Sequence, residues 1–574
     1  MNTVKWGAPL AAMLVSLLGV CGASAQMAQM APDAGSLIRD ISGSTQPSRL
    51  PDTVPPVILP GEEAPQDKNI KLRIKDFRIV QATLFTEAEL KALLADLIGK
   101  ELSLAQLQQA ALRIGDYYRQ RGYFARALLP RQVVEDGVVE IRVLESTLGG
   151  VEIAPPLPSR AHPEVARQTV LAQQKIGEPL RPDDVLRGLK LLNETPGYGV
   201  KATLKPGAKE KETNLVINLE DTPLVNGAVM ADNRSSRGTG AEQVVGTVNI
   251  NNPSGRGDQI GLVGLASQGS RFMRTAYTVG LGYSGLRIGA NAAGLRYKLV
   301  GSLASLNAEG KATIYGVTLA YPLLKTQSLN LYGNANSDVK HFVNDIAGAN
   351  SSNKTLRTVG LSLTGDAQDE WGGRGLNQFS FIWVTGNADL SANAADMASD
   401  LTLSRTHGTY QKASFSLARL QKLTDKLGLF VNYSGQLANR NLDSSEKFSL
   451  GGGNGIRAYP LGEASGDQGW MLISELRYNL DDNLQLVGFV DTGSVTQHKY
   501  RWSGWNTTAP DQSNVYNLMG AGMGLNWTGK DKLMLRSSLA GRLGSNPGRD
   551  ATTGSDSDGT KRNLRVWVQL IQPF

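Results

Sequence analysis

The chain is 574 residues long, which leaves room for several domains. Its formal charge of +7, or +6 without Lys5, is too diffuse to argue for a nucleic-acid partner. The single cysteine, Cys21, lies in an N-terminal apolar segment, so the rest of the chain has no thiol for a disulfide, a metal or a nucleophile; beyond that segment no apolar run is long enough for a membrane helix.

Residues 1–25 read as a secretory signal peptide: Lys5, an apolar core over 8–20, then Ala23-Ser24-Ala25 ahead of cleavage at Gln26. Lipoprotein processing at Cys21 is the competing reading, with Val20 standing where a small residue is expected. Residues 26–45 hold a short helix over 33–41, with Leu37, Ile38 and Ile41 on one side. Residues 46–70 are an extended linker containing Pro47, Pro51, Pro55, Pro56, Pro60 and Pro65.

Strands and helices then alternate, and the order occurs twice. Residues 71–146 open with a strand over 72–80. A helix starts near Thr86, where Glu89 completes a capping box and Leu90, Leu93, Leu94 and Leu97 form an apolar stripe. A second helix carries Leu104, Leu107, Ala111, Ile114 and Tyr118 and stops near Arg121-Gly122. Strands over 124–129 and 138–144 follow, joined across the hairpin-type pair Asp136-Gly137. Residues 147–222 repeat the pattern: a strand over 150–153, helices over 162–172 and 182–192, and strands over 200–204 and 214–219. Pro182 suits the first turn of its helix because its missing N–H costs nothing there. Both are α+β units of β-α-α-β-β order.

Residues 223–574 alternate apolar and polar side chains, the pattern of an antiparallel transmembrane β-barrel. Tyr315, Val317, Leu319, Tyr321 and Leu323 share one face, as do Leu472, Leu476, Tyr478 and Leu480, opposite Glu475, Arg477 and Asn479. In the last segment Leu564, Val566, Val568, Leu570 and Phe574 take one parity, while Arg565, Trp567 and Gln569 take the other, expected to line a wetter interior. A soluble all-β protein is the competing reading of the alternation; the export signal weighs against it.

Taken together, these parts resemble the two-partner secretion transporters of the ShlB/FhaC/HecB type. Leu129-Pro130-Arg131-Gln132 with Asp136-Gly137 is similar to a hairpin in the first POTRA domain of that family, and Asp232-Asn233-Arg234-Ser235-Ser236-Arg237-Gly238 followed by Asn252-Pro253-Ser254-Gly255 resembles its first barrel hairpin. The resemblance implies two POTRA domains, 71–146 and 147–222, a barrel of sixteen strands over 223–574, and a removable plug formed by the helix in 26–45. For that helix a disordered tail remains the alternative reading.

The long segment from Ser445 to Gly469 resembles the family's sixth extracellular loop, which folds back into the barrel. Its tip here is Ile456-Arg457-Ala458-Tyr459, with Ala458 in place of the family's glycine, a change that restricts positive φ. Phe489, Asp491 and Gly493 match a strand motif of the barrel wall, and parity turns Asp491 inward. By resemblance Arg457 pairs with Asp491, a two-point contact that pins the loop to the wall. Phe574 looks like the assembly signal read by the barrel assembly machinery.

The implied function is export of a large partner exoprotein of the TpsA type across the Gram-negative outer membrane, with POTRA domains in the periplasm capturing the client, outer-membrane lipid around the barrel, and no nucleotide. An insertase like BamA or TamA and a passive porin are the alternatives. Nothing points to an enzyme, a cofactor or a metal. His162, His341, His407 and His498 are scattered, and in Gly524-Leu525-Asn526-Trp527-Thr528-Gly529-Lys530 the phosphate-loop likeness fails at Asp531. Gly451-Gly452-Gly453 reads as loop flexibility.

Overall fold

A computed structural model of the chain describes residues 32–44, 71–506, 513–550 and 552–574; the signal peptide and proline linker expected at 1–25 and 46–70 lie outside these. After α1 (Ala34–Ser44), the first α+β unit runs β1 (Lys71–Arg73), β2 (Asp76–Val80), α2 (Glu87–Ala92), β3 (Glu101–Ser103), α3 (Leu104–Gln120), β4 (Ala125–Leu128) and β5 (Val138–Glu145). The single strand expected over 72–80 is two strands. Its backbone changes partner at the break, Ile74 donating to the Lys100 carbonyl at 3.0 Å and Lys75 to that of Gly137 at 2.8 Å. The capping box on α2 is present, the Thr86 amide donating to Glu89 at 2.8 Å and the Glu89 amide to the Thr86 hydroxyl at 3.3 Å. The sheet order is β2-β5-β4 with β2 parallel to β5, and α3 buries Leu107, Ala110, Ala111, Ile114 and Tyr118 on it.

The second unit comprises β6 (Thr147–Ala154), α4 (Pro163–Leu171), α5 (Pro182–Asn193), β7 (Tyr198–Pro206) and β8 (Glu212–Asp221), in sheet order β6-β8-β7 with β6 parallel to β8. The shared strand order follows from the shared chain order: in both units the last strand enters between the other two.

One buried acid stabilises the first unit. Glu145, at the end of β5, accepts from the Thr83 and Leu84 amides, both at 2.8 Å, and from the Tyr118 hydroxyl at 2.6 Å. Burial pushes its carboxyl up, but these bonds and one from the Thr83 hydroxyl outweigh it and hold the group below the usual carboxylate range.

The barrel follows: β9 (Val225–Asp232), β10 (Gln243–Asn251), β11 (Gln259–Ser267), β12 (Ser270–Gly280), β13 (Arg287–Lys298), β14 (Ala308–Lys325), β15 (Leu329–Ile346), β16 (Ala349–Asp369), β17 (Gly375–Asp389), α6 (Ala394–Thr402), β18 (Gly408–Lys422), β19 (Leu427–Ala438), a small ribbon of β20 (Phe448–Ser449) with β21 (Ser465–Gly466), then β22 (Gln468–Asn479), β23 (Leu484–Thr496), β24 (Val515–Thr528), β25 (Met534–Arg542) and β26 (Leu564–Pro573). Sixteen antiparallel strands close, with β26 pairing to β9. Closure gives every barrel strand a neighbour on both sides, as a wall in lipid requires, with the β26–β9 seam laddered over Gln569–Pro573.

Side-chain parity is as the sequence implies. Tyr315, Val317, Leu319, Tyr321 and Leu323 point outward and are exposed, as are Leu564, Val566, Val568, Leu570 and Phe574. The inner parity of β26 is not wet, however: Arg565, Trp567 and Gln569 are buried by chain folded into the lumen. Phe574 ends the seam, exchanging backbone hydrogen bonds of 3.0 and 3.1 Å with Gly227 just inside β9.

The second unit docks at the mouth with short turns. The Tyr198 hydroxyl donates to the Gly255 carbonyl at 2.9 Å, Arg187 donates to the Pro322 and Leu323 carbonyls at 2.6 and 3.2 Å, and Glu194 pairs with Lys325 and Tyr332. The long loops therefore belong to the opposite mouth. α1 lies inside the barrel, where Ala34, Leu37, Ile38 and Ile41 pack with Leu295, Ala312, Phe342 and Leu356.

Candidate functional site in the barrel lumen

The chain between β19 and β22 folds back into the lumen because its glycines permit backbone contact that no other residue allows. A Cβ on Gly451 would meet the Pro460 carbonyl at 2.2 Å, and one on Gly455 would meet the Leu450 carbonyl at 2.1 Å. Gly452 adopts a φ of 120°. The glycine run thus serves close packing rather than flexibility. Hydrogen bonds from Ile456 to the Leu450 carbonyl, 2.7 Å, and from Gly452 to the Tyr459 carbonyl, 3.2 Å, set the tip.

Arg457 projects from this tip onto the wall. Its Nε and Nη2 donate to the two oxygens of Asp491 on β23 at 2.9 and 2.8 Å, and its backbone amide adds a third bond to Asp491 at 3.1 Å. Nη1 reaches Glu475 on β22 at 2.7 Å, and Arg477 holds the other Glu475 oxygen at 2.6 and 2.9 Å. Two guanidinium groups thus face two carboxylates, and the charges balance. The Arg457 guanidinium lies 3.4 Å from the centre of the Phe489 ring. Asp491 is 0% exposed. In so dry a place, removing one partner of a buried pair typically costs about 3–5 kcal/mol.

Neighbouring tip residues complete the fit. Ile456, Ala458 and Tyr459 are fully buried. Ala458 does not carry a positive φ, so the restriction that alanine imposes is not felt; its methyl group faces Gly520 on β24, where a Cβ would stand only 2.5 Å away. Gly493 likewise leaves room for the loop, since a Cβ there would lie 2.8 Å from Leu450. The Trp567 indole donates to the Arg457 carbonyl at 2.8 Å, and the Tyr459 ring lies 4.9 Å from the Arg542 guanidinium.

Of the residues singled out in the sequence, Ile456, Arg457, Ala458, Tyr459, Phe489, Asp491 and Gly493 meet here, while Phe574 lies apart at the seam. Sequence reasoning gave no role to Glu475 and Arg477, although their shared inward parity two residues apart was visible. It also missed Trp567 and Gly520, which only the folded-in loop makes relevant.

A second ionic cluster holds α1. Lys354 on β16 lies 3.3 Å from Asp33, at the start of α1, and 2.5 Å from Asp443 of the loop. The Ser444 hydroxyl donates to Asp33 at 2.7 Å, and the Ala34 amide donates to the Asn344 side chain at 2.9 Å. Close by, Glu446 bridges Lys340 and Lys412 at 2.7 and 2.9 Å. The segment that resembled a phosphate loop lies on β24 and its turn into β25. Among the described residues no group of His, Cys, Asp and Glu has metal-binding geometry.

Comparison with known proteins adds to this geometry. The family model described as haemolysin secretion/activation protein ShlB/FhaC/HecB matches residues 211–527, and that of the ShlB-type POTRA domain matches residues 72–146. The heme/hemopexin transporter protein HuxB of Haemophilus influenzae strain 86-028NP is 26% identical over 97% of each chain. The outer membrane transporter CdiB of Dickeya dadantii strain 3937 is 23% identical over 79% of each. In fold, the chain is similar to CdiB from Escherichia coli, with TM-score 0.68, 18% identity and full coverage of both chains. BamA from Haemophilus ducreyi lacking POTRA domains 1–3 gives TM-score 0.52 at 16% identity over 88% of this chain and all of that one.

Proposed function

The chain belongs to the haemolysin secretion/activation family of ShlB, FhaC and HecB, and from that premise we propose how its parts carry a large exoprotein from the periplasm to the cell surface through the Gram-negative outer membrane. The observation that carries the reading is a closed barrel with α+β units fixed at one mouth and a helix seated in its lumen. The units at 71–146 and 147–222 are POTRA domains facing the periplasm. Each sheet has outer strands with a ladder partner on one side only. An unfolded client can add a strand there, gaining backbone hydrogen bonds with little demand on its sequence.

The segment over 26–45 plugs the resting pore. Client binding at the POTRA edges displaces α1 from its wall contacts, and the exoprotein threads the freed lumen. The Arg457 loop stays moored to β22 and β23 and keeps the wall in shape while α1 moves. Folding of the client outside supplies direction, with no nucleotide involved. The barrel assembly machinery inserts the chain, reading the terminal strand that ends in Phe574, and outer-membrane lipid surrounds the exposed apolar face.

Deleting residues 71–221 tests the reading. Loss of one exoprotein from the medium, identified from the neighbouring open reading frame, supports it. A general loss of outer-membrane barrels would favour an insertase like BamA, and unchanged conductance with no export defect a passive porin.

A further inference from the structure

On the outer wall near the long-loop mouth, three cations stand side by side. Arg271 on β12 is the register partner of Arg296 on β13, and Arg296 is the partner of Lys311 on β14. Their chain neighbours Phe272, Leu295 and Ala312 are buried inside the barrel, so alternation turns the three cations outward, where all are exposed. Directly opposed residues on adjacent strands hold their Cβ atoms about 4.5–5.5 Å apart, and like charges so placed repel. Among the described residues none of the three has an ion-pair partner. Glu309 and Asp345, register partners of one another, lie one step further toward the loops on the same face.

The height of the row matters as much as its charge. Two rows toward the periplasm, on the same outward face, stands Tyr315, followed by Val317 and Leu319, the exposed apolar band. Aromatic residues mark the boundary between hydrocarbon and headgroups. The cations therefore lie just above that boundary, on the outer-leaflet side. Outward positions near the same mouth on other strands are mostly uncharged, among them Val244, Asn387, Thr409, Gln411, Leu437, Trp470 and Val515; Arg357 on β16, the register partner of Asn387, is an exposed cation outside the row, and Lys298 on β13 stands opposite Glu309.

We propose that Arg271, Arg296 and Lys311 form a binding site for the phosphate groups of a phosphorylated glycolipid in the outer leaflet, with its acyl chains lying on Tyr315, Val317 and Leu319. An anion shared among the three relieves their mutual repulsion. Guanidinium groups suit it because they meet phosphate oxygens in paired hydrogen bonds, and anionic headgroups are drawn to such clusters at the membrane surface. The site rests on the outer-membrane placement of the barrel but not on the export reading.

Native mass spectrometry of the full chain in detergent tests the site, titrated with lipid A bearing two phosphates, with phosphate-free lipid A, with phosphatidylglycerol and with inorganic phosphate. The wild type should bind bisphosphorylated lipid A at least about tenfold more tightly than the phosphate-free form or phosphatidylglycerol, and millimolar phosphate should not displace it. The variant Arg271→Gln/Arg296→Gln/Lys311→Gln should lose that preference while keeping heat-modifiable barrel migration, and Arg296→Lys should keep most of it. Equal binding of phosphorylated and phosphate-free lipid by the wild type, or undiminished binding by a folded triple variant, would overturn the proposal. So would equal binding of phosphatidylglycerol or displacement by free phosphate. Since these arms measure lipid and not secretion, a failed export experiment leaves them intact.

Discussion

Two of the ionic anchors in the lumen are of opposite construction. At the loop tip, Arg457 gives Asp491 two side-chain bonds and a backbone bond, and fully buried Ile456, Ala458 and Tyr459 pack around them. At α1, one ammonium group, Lys354, is shared between Asp33 and Asp443, and the Asp33 side chain is 29% exposed. If Asp33 departs with α1, Lys354 keeps Asp443, so no charge is stranded. If Arg457 departs, Asp491 is left bare inside a dry wall. This asymmetry suits the proposed function, in which the first anchor stays and the second lets go.

Substitutions at the permanent anchor should have the largest effect. Arg457→Ala and Asp491→Ala should each lower secreted exoprotein at least about tenfold, as expected when a buried pair loses one member. Outer-membrane level and heat-modifiability should remain near wild type. Arg457→Ala/Asp491→Ala should lose less than the sum of the two, and a fully additive double variant would show that the residues do not act as a pair. Removing Phe574 should come next, with a several-fold drop in assembled barrel on surface-exposed immunoblots; normal levels would remove its role as assembly signal.

The releasable anchor should respond differently. Deleting residues 26–41 or substituting Asp33→Ala should raise open probability in planar bilayers while the barrel remains assembled, the deletion more than the point change. An unchanged trace in both would show that α1 does not seal the pore. Glu475→Gln should sharpen the contrast from the other side: it keeps a hydrogen-bond acceptor for Arg457 but leaves Arg477 without its countercharge, so secretion should fall less than in Asp491→Ala.

The smallest expected effect lies outside the barrel and depends on pH. The folded-state pKa of Glu145 is depressed. Its contribution to the first unit is therefore complete above the ordinary carboxylate pKa and lost as pH falls through the depressed value. Hydrogen exchange over residues 76–145 of the full chain should show protection declining as pH drops below that ordinary range, and Glu145→Gln should flatten the decline. A variant with the wild-type pH profile would assign it to other groups.

Much of this architecture was legible because period and spacing are local. Tyr315 to Leu323 declare their parity with no knowledge of neighbours, and Thr86 with Glu89 declares a helix start. Arg457 and Asp491 were legible through motif resemblance, since 34 residues of separation carry no local signal. What escaped depends on chain folded into the lumen. Trp567 read as wet because its strand alternates, and it is dry because a loop more than a hundred residues away covers it. Gly520 could not be seen as the recess for Ala458 for the same reason. The break at Ile74 was hidden because changing hydrogen-bond partner leaves no mark on side-chain pattern.

The two α+β units meet with almost no slack. A single residue, Ser146, separates β5 from β6. The joint is stitched by Phe124 donating to the Leu180 carbonyl at 2.9 Å, Leu180 to that of Ser146 at 2.7 Å and Ser146 to that of Phe124 at 3.1 Å. Arg187 on α5 and Glu194 just after it hold the second unit to the rim, so contacts run without a break from the first unit through the second to the barrel. On the proposed reading, that unbroken set of contacts acts as a ruler that sets where cargo clipped to the outer sheet meets the pore, and lengthening the Ser146 joint should blur that position.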